Sequence, residues 1–227
     1  MNNENTSSSS LSKIALLISN FVPMFGVVFY QWDVSSIIFL YWLETLVILI
    51  FSIIKIKKAQ GNPLVDQKEK VTINGVDINN FNKRALIRFS KINNGILILF
   101  DLVMIFSIFG LPKMSAYPIY IALFSIILSH YISYSVNYIG KEEFLKISPA
   151  RIYLIPENRL LIIMIVSVFG GLVVEMARGY IVALIIMIAL KTMADLYAHV
   201  KEHKYIKTVS MEISSGLYKI KESDLLR

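Results

Sequence analysis

The chain has 227 residues, of which 56% are hydrophobic and 17% charged, and its mean hydropathy is +0.61. Soluble domains carry about 25% charged residues, so this composition excludes an ordinary soluble enzyme and is typical of a membrane protein. There is no cysteine in the sequence, which excludes disulfides, thiolate metal sites and thiol nucleophiles.

The N-terminal segment 1–12 is polar and rich in serine, which predicts a disordered tail. The chain then becomes strongly apolar, in segments close to the length of about 20 residues that a membrane-spanning helix needs. We predict an all-α fold, a polytopic transmembrane helix bundle of about six spans, at residues 14–30, 36–54, 95–110, 117–139, 160–174 and 180–198. These spans form one membrane domain, residues 13–203, which is followed by a cytoplasmic C-terminal tail, residues 204–227.

The first span contains three residues that break the apolar pattern. Asn20, Pro23 and Gly26 recur every three residues and therefore lie on nearly one helix face. This spacing favours a kinked helix that packs closely against a neighbour over a ligand-facing notch.

The cytoplasmic loop 55–94 is the largest polar segment between spans. Its centre, VTINGVDI at 71–78, alternates around Asn74 and Gly75, which predicts a two-residue β-hairpin. A loop of about 40 residues with so few apolar side chains is too small for a core of its own. The stretch 81–92, FNKRALIRFSKI, predicts a short amphipathic helix on the inner membrane surface that turns into the bilayer at Gly95, and KEEFLKISPARIYLI at 141–155 predicts a second interfacial stretch.

The lysines and arginines fall almost entirely on one side of the predicted membrane, and the exceptions are Lys113, Arg178 and Lys191. The positive-inside rule then places both termini in the cytoplasm and the protein in the cell membrane. Topology and attraction to anionic lipid head groups, about 1 kcal/mol for each basic residue near the surface, explain the net charge of +7. We therefore expect the lipid bilayer as partner and no nucleic acid. The sequence leaves homo-oligomerisation open.

Polar and ionisable side chains inside the predicted spans are the candidate functional residues. A carboxylate at the bilayer centre costs at least about 2.5 kcal/mol on insertion scales, so such residues face the bundle interior and mark functional sites by default. The predicted topology places them in the middle or the inner half of the bilayer. We predict a buried polar cluster that consists of Glu44, Asp101, His130, Ser133, Asn137, Lys191, Asp195 and His199.

Three hypotheses fit this cluster. In the first, the polar side chains hold the helices together or bind a ligand, with Lys191 paired to Asp195 at i, i+4 or to Glu44. In the second, a metal-dependent (zinc) intramembrane hydrolase uses His130, Asp195 and His199 as ligands and a water molecule as the fourth. In the third, the ionisable side chains carry protons or a small solute across the membrane.

The spacing of the last helix limits the zinc hypothesis. Asp195, His199 and His203 share a helix face, but the ends of that stripe are about 12 Å apart, too far for one ion with ligands at about 2 Å. We also expect His203 to lie beyond the membrane, in solvent. Phosphate-binding glycine loops, Gly-x-Ser-x-Gly elbows and His-Glu-x-x-His zinc signatures do not occur. We predict no cofactor, retain zinc as an alternative, and favour a structural or binding role over catalysis.

Several stretches together resemble a family of prokaryotic integral membrane proteins that is defined only as a domain of unknown function. They are NFVPMFG at 20–26, YWLET at 41–45, SHYISYSVNYIGKEEF at 129–144, PENRLLIIMIVSVFGG at 156–171 and LKTMADLYAHVKEH at 190–203. The resemblance omits the loop 55–94 and implies the topology but no reaction. In the family pattern a histidine stands where this chain has Met164, which weakens a metal site here. The polar residues to which the resemblance points are Glu44, His130, Ser133, Asn137, Asp195 and His199.

Overall fold

The computed structural model describes the backbone of residues 2–61, 71–178 and 181–214 and the side chains of residues 11–61, 71–155, 160–178 and 181–201. Within these ranges the chain is almost entirely helical. The α-helices are α1 (Asn2–Tyr30), α2 (Val34–Lys58), α3 (Lys83–Phe109), α4 (Ala116–Ser133), α5 (Glu143–Lys146), α6 (Pro149–Met176) and α7 (Ile181–Ser214). A π-helix (Tyr134–Ile139) continues α4, and two strands, β1 (Thr72–Ile73) and β2 (Val76–Asp77), precede a 3-10 turn at Ile78–Asn80.

Six helical segments of the described chain are long and apolar enough to cross a membrane. They are Leu11–Tyr30, Val34–Lys58, Lys83–Phe109, Ala116–Ile139, Pro149–Met176 and Ile181–Lys201. The all-α class and the predicted number of membrane-length helices are therefore confirmed.

Large apolar side chains lie exposed on the outside of the bundle. On α4, Tyr117, Tyr120 and Phe124 are 74%, 68% and 66% exposed, and on α3, Ile96 and Leu99 are 63% and 61% exposed. An exterior with so many exposed large apolar side chains is compatible with lipid contact and unusual for a protein surrounded by water.

Two predicted boundaries differ from the structure. Helix α3 runs without interruption through Gly95, so the stretch 81–92 does not form a separate surface helix. A glycine inside a helix costs only about 1 kcal/mol relative to alanine, which is too little to end a helix that buries residues of one face both before the glycine, such as Ser90, and after it, such as Ile98. The predicted interfacial stretch 141–155 is also not separate from the following span, since α6 begins at Pro149. Ser148 caps this helix, and proline is tolerated in the first turn. Only the short α5 separates the π-helix from α6.

Helix α1 begins at Asn2 and so covers the segment 1–12 that the sequence predicts to be a disordered tail. Ser12 is 1% exposed and lies between polar groups of two other helices. These long-range contacts hold Ser12, the last residue of the segment, and they leave no trace in its local composition. At the other end of the chain α7 continues to Ser214, and the side chain of His203 lies outside the described residues.

The two ends of the bundle differ in charge. The basic end is the one at which α2 ends and α3 begins, and it exposes Lys57, Lys58 and Arg84. At the opposite end, Asp33 caps α2, and its carboxylate accepts hydrogen bonds from the hydroxyls of Ser35 and Ser36. Burial raises the pKa of Asp33, but these hydrogen bonds, the Ser36 N–H and the charge of Lys113 together lower it by more, so its pKa lies below the ordinary value.

The predicted hairpin is confirmed. Strands β1 and β2 pair antiparallel, with Ile73 opposite Val76. The turn residues Asn74 and Gly75 have φ angles of 52° and 80°, the left-handed conformation that a two-residue hairpin requires. The 3-10 turn that follows buries Ile78 in an apolar cluster at the basic end together with Leu86. The described part of the loop, residues 71–94, therefore packs onto the bundle.

The packing of the helices determines where the polar side chains meet. Helix α2 packs against α3, α4 and α6, whereas α1 packs against α4 and α7. Helix α7 also contacts α6. Polar residues on the inner faces of α1, α2, α4 and α7 therefore point toward one region of the bundle.

Candidate functional site

A network of four buried residues, which we call the lysine network, joins α1, α2 and α7. Its centre is the ammonium group of Lys191, which donates hydrogen bonds to Glu44 Oε2 and to Asn20 Oδ1, the latter at 2.9 Å. It also forms an ion pair with Asp195 Oδ2 at 2.6 Å. Asn20 Nδ2 donates to the same Asp195 oxygen at 3.4 Å, which closes the network.

The ammonium group of Lys191 has as many partners as it has donors. A lysine has three N–H groups, and here each finds one acceptor, from Glu44, Asn20 or Asp195. The side chain is 1% exposed, and its Nζ lies 4.8 Å from the centroid of the Tyr41 ring. A lysine with all its donors engaged and no access to solvent is suited to holding helices together.

A second polar chain runs from the π-helix to α7 through the first helix. Asn137 Nδ2 donates to Ser12 Oγ at 2.9 Å, and Ser12 Oγ lies 3.2 Å from His199 Nε2. Asn137 belongs to the π-helix, whose extra residue per turn changes the direction in which its side chains point, and π-helices occur frequently at functional sites. All three residues are nine-tenths buried or more.

A cavity at the basic end lies beside the lysine network and the second polar chain, and we call it the basic-end cavity. Its volume is about 60 Å³, and a water molecule needs about 10–15 Å³ on the same measure, so it has room for several waters. Its lining comes from α2, α4, the π-helix, α6 and α7. The residues are Ile48, Phe51, Ser52, Lys55, His130, Ser133, Tyr138, Ile147, Ile152, Ile155 and His199.

His130 connects the basic-end cavity with the lysine network. Its Nε2 lies 3.9 Å from Glu44 Oε1, which is beyond hydrogen-bond distance but within the range of an ion pair. Its ring stacks on Phe51, with centroids 5.8 Å apart and an angle of 26° between the planes. The stacking fixes the imidazole in the wall of the cavity.

Ser52 is the lining residue whose hydrogen bonding is incomplete. Its side chain is 5% exposed, and its Oγ has no hydrogen-bond partner within the described part of the chain. A buried hydroxyl without a partner costs about 1–3 kcal/mol, so an occupant of the cavity that bonds to it would gain that free energy.

Asp101 lies apart from the rest of the predicted cluster. It lines a separate cavity of about 10 Å³ between α2, α3 and α6, together with Thr45 and Met164. Its side chain is 4% exposed, and Oδ1 has no hydrogen-bond partner among the described residues. Of the predicted residues, the structure thus brings Glu44, Lys191 and Asp195 into one network and His130, Ser133 and His199 into one cavity.

The described residues include no group of three histidine, aspartate or glutamate side chains placed to hold a metal ion. His130 and His199 do line the same cavity. A zinc site there would need a third ligand from another kind of residue or from solvent.

Sequence reasoning missed three residues that the structure adds to the site. Asn20 was interpreted as part of a packing face and Ser12 as part of a disordered tail, and Ser52 was not singled out. For Asn20 a signal was available, because an amide within a membrane-length helix needs a partner. For Ser12 and Ser52 the sequence contains no comparable signal, since single serines are common inside such helices.

Fold and site together define a class, an all-helical bundle with six membrane-length helices and a buried polar network between them. The chain belongs to a family of unknown function, DUF6498, whose sequence pattern matches residues 2–212. This confirms the resemblance seen in the sequence. No curated protein and no solved structure gave a match. The geometry of the site is therefore the basis for a functional proposal.

Proposed function

We propose that this chain is a six-span membrane protein that binds a small ligand in the basic-end cavity. The observation that carries the proposal is the basic-end cavity itself, which His130 and His199 line together with the buried Ser52. Binding sites for small molecules are concave and mostly apolar, with a few polar groups that fix the orientation of the ligand. The basic-end cavity has this composition.

The lysine network supports the site without lining it. None of its four residues, Asn20, Glu44, Lys191 and Asp195, is among those that line the cavity. It fixes α7 against α1 and α2, and α7 carries His199 into the cavity wall. A rigid support of this kind holds binding groups in place more accurately than a loop does.

We further propose that the basic end faces the cytoplasm, with both termini on that side and with anionic lipid head groups near its lysines and arginines. The exposed basic residues of α2 and α3 support this orientation, because such residues are retained on the cytoplasmic side. Head groups would lie near Lys57, Lys58, Arg84, Arg88 and Lys91.

The orientation can be tested by labelling single cysteines, because the chain has none of its own. We expect a membrane-impermeant maleimide to label Lys113→Cys in intact cells and Lys57→Cys only after the membrane is made permeable. Both positions are exposed, and Lys113 has 82% of its side chain accessible, so access to the reagent depends on the side of the membrane. Labelling of Lys57→Cys in intact cells would contradict the orientation.

Ligand binding can be tested by thermal unfolding of the full chain, purified without a histidine tag and placed in lipid nanodiscs. The probes are inorganic phosphate, hexanoate, hexanol, hexylamine and zinc chloride. We expect at least one of them to raise the Tm, since a ligand at 100 times its Kd stabilises the folded state by about 2.7 kcal/mol.

Two leucine variants decide whether such a shift comes from the basic-end cavity. Ser52→Leu places an apolar side chain in the cavity and is expected to abolish the shift. Ser107→Leu, on the exposed face of α3, is expected to retain it. If no probe shifts the Tm of the wild type, or if Ser52→Leu responds as the wild type does, the proposed site is wrong.

A further inference from the structure

We infer that Asp101 is a proton-binding site, a carboxylic acid that stays un-ionised inside the bundle at neutral pH. Asp101 lines the small cavity between α2, α3 and α6, which shares no lining residue with the basic-end cavity among those that the structure describes. The inference therefore goes beyond the proposed function and does not rest on it. It follows from the burial of Asp101, from the chemistry of the cavity wall and from the engagement of the nearby donors.

The carboxyl group of Asp101 is buried without a partner. The side chain is 4% exposed, and Oδ1 accepts no hydrogen bond from any residue that the structure describes. An ionised carboxyl group is an acceptor at both of its oxygens and needs donors to replace the water that it loses on burial. Without donors or an opposite charge, the ionised form is so unfavourable that the group binds a proton instead.

The described wall of this cavity supplies no positive charge. Besides Asp101, Thr45 is its polar side chain, and the remaining lining residues are apolar, namely Leu97, Ile98, Leu160, Leu161 and Met164. The buried ammonium group of Lys191 already serves three acceptors in the lysine network. A proton is the cation that can neutralise Asp101 with these neighbours.

The donors closest to the cavity wall are engaged with backbone oxygens. Thr45 Oγ1 donates to the backbone oxygen of Trp42 at 2.6 Å, and Trp42 Nε1 donates to the backbone oxygen of Ile98 at 2.9 Å. A hydroxyl and an indole each have one proton to donate. Thr45 can therefore offer only its lone pairs to the cavity. These can accept a hydrogen bond from a carboxylic acid, whereas they repel a carboxylate.

Infrared difference spectroscopy of the full chain tests the inference, in a maltoside detergent that has no carbonyl group of its own. At neutral pH we expect the wild type to show the carbonyl stretch of a carboxylic acid, and we expect Asp101→Asn to lose this band. Asparagine has nearly the same shape as aspartate but no acidic proton. Thermal unfolding checks that the variant is folded.

Asp33→Asn is the matched control. It makes the same substitution at a carboxyl group whose pKa lies below the ordinary value. Asparagine caps a helix about as well as aspartate does, so α2 keeps its cap. We expect this variant to retain the carboxylic acid band and to lose intensity in the carboxylate bands instead.

A second measurement locates the acid in the wild type, whether or not Asp101→Asn folds. Dicyclohexylcarbodiimide reacts with un-ionised carboxyl groups. The acid gives its proton to one nitrogen of the reagent while its oxygen bonds to the central carbon, and the adduct rearranges to a stable N-acylurea. By peptide mass spectrometry we expect this adduct at Asp101 and none at Glu44 or Asp195, which are paired with Lys191.

Three results would overturn the inference. They are a wild type without the carboxylic acid band, a folded Asp101→Asn protein that retains it, and an adduct at Glu44 or Asp195 in place of Asp101. The first would mean that Asp101 is kept ionised by water, by a metal ion or by Arg159, whose side chain lies outside the described residues. Arg159→Gln separates these causes, because the band then appears only if Arg159 is the partner.

Discussion

Lys191→Met is expected to lower the free energy of unfolding by about 3–5 kcal/mol, the usual effect of removing one partner from a buried ion pair. The substitution leaves Glu44 and Asp195 buried with no ammonium group between them, and it leaves Asn20 Oδ1 without its donor. The apolar methionine fills a similar volume, so the loss arises from the uncompensated charges and not from a void.

Chemical unfolding of the purified variants in detergent measures this effect. Lys201→Met changes an exposed lysine of the same helix and is expected to alter the free energy of unfolding by less than about 0.5 kcal/mol. The triple variant Lys191→Met, Glu44→Gln and Asp195→Asn removes all three charges together and is expected to recover most of the loss. A stable Lys191→Met protein would show that the network does not hold the helices together.

Gly61→Ala is expected to lower the free energy of unfolding by about 1–3 kcal/mol and to disturb the basic-end cavity. A Cβ on Gly61 would lie 2.4 Å from the carbonyl carbon of Ile147 and 2.6 Å from its backbone nitrogen and oxygen. These are backbone atoms that cannot rotate away. The Gly61 N–H also donates to the Ile147 oxygen at 3.0 Å, so the same contact joins the end of α2 to the segment before α6.

Gly95→Ala is the matched control for this close approach. Gly95 lies inside α3, and a Cβ there would meet nothing within 4 Å. Alanine is the better helix former, so this variant is expected to raise the free energy of unfolding by about 0.5–1 kcal/mol. The comparison is made by thermal unfolding and by titration of both variants with the probe that raises the Tm of the wild type. Equal stability of the two variants would mean that Gly61 and Ile147 are not packed as described.

The sequence predicted the features that depend on local pattern. Runs of apolar residues predicted the six helices, because a membrane-length helix must be apolar over its whole length. Asn74 and Gly75 gave the hairpin, because few other pairs tolerate two successive left-handed residues. The i, i+4 spacing of Lys191 and Asp195 gave one contact of the lysine network, since these positions are neighbours on a helix face.

The remaining contacts depend on which helices become neighbours, and the local pattern does not determine that. Asn20 meets Lys191 only because α1 packs beside α7, and Ser12 meets His199 for the same reason. Asp101, like Glu44, is a carboxylate inside a predicted span, but α3 directs it toward Thr45 and Met164. Hydrophobic patterning predicts that such a residue lies inside the bundle, but it does not predict which helix the residue faces.

The alternatives of a zinc-dependent hydrolase and of a transporter stay predictions from the sequence. Both would use the basic-end cavity, since two of the three histidines line it. Zinc among the binding probes tests the first alternative, and flux of the probe that binds across proteoliposomes tests the second.

We propose separate roles for two groups of polar residues within the helices: the lysine network holds α1, α2 and α7 together, and the basic-end cavity binds a ligand, whereas Asp101 lies apart from both. The affinity of the folded, uncharged triple variant for the probe that raises the Tm of the wild type tests this division most directly. We expect its Kd to lie within about threefold of the wild-type value, a difference of less than about 1 kcal/mol. A triple variant that folds stably but has lost binding of this probe would contradict the division, because Glu44, Lys191 and Asp195 would then belong to the binding site.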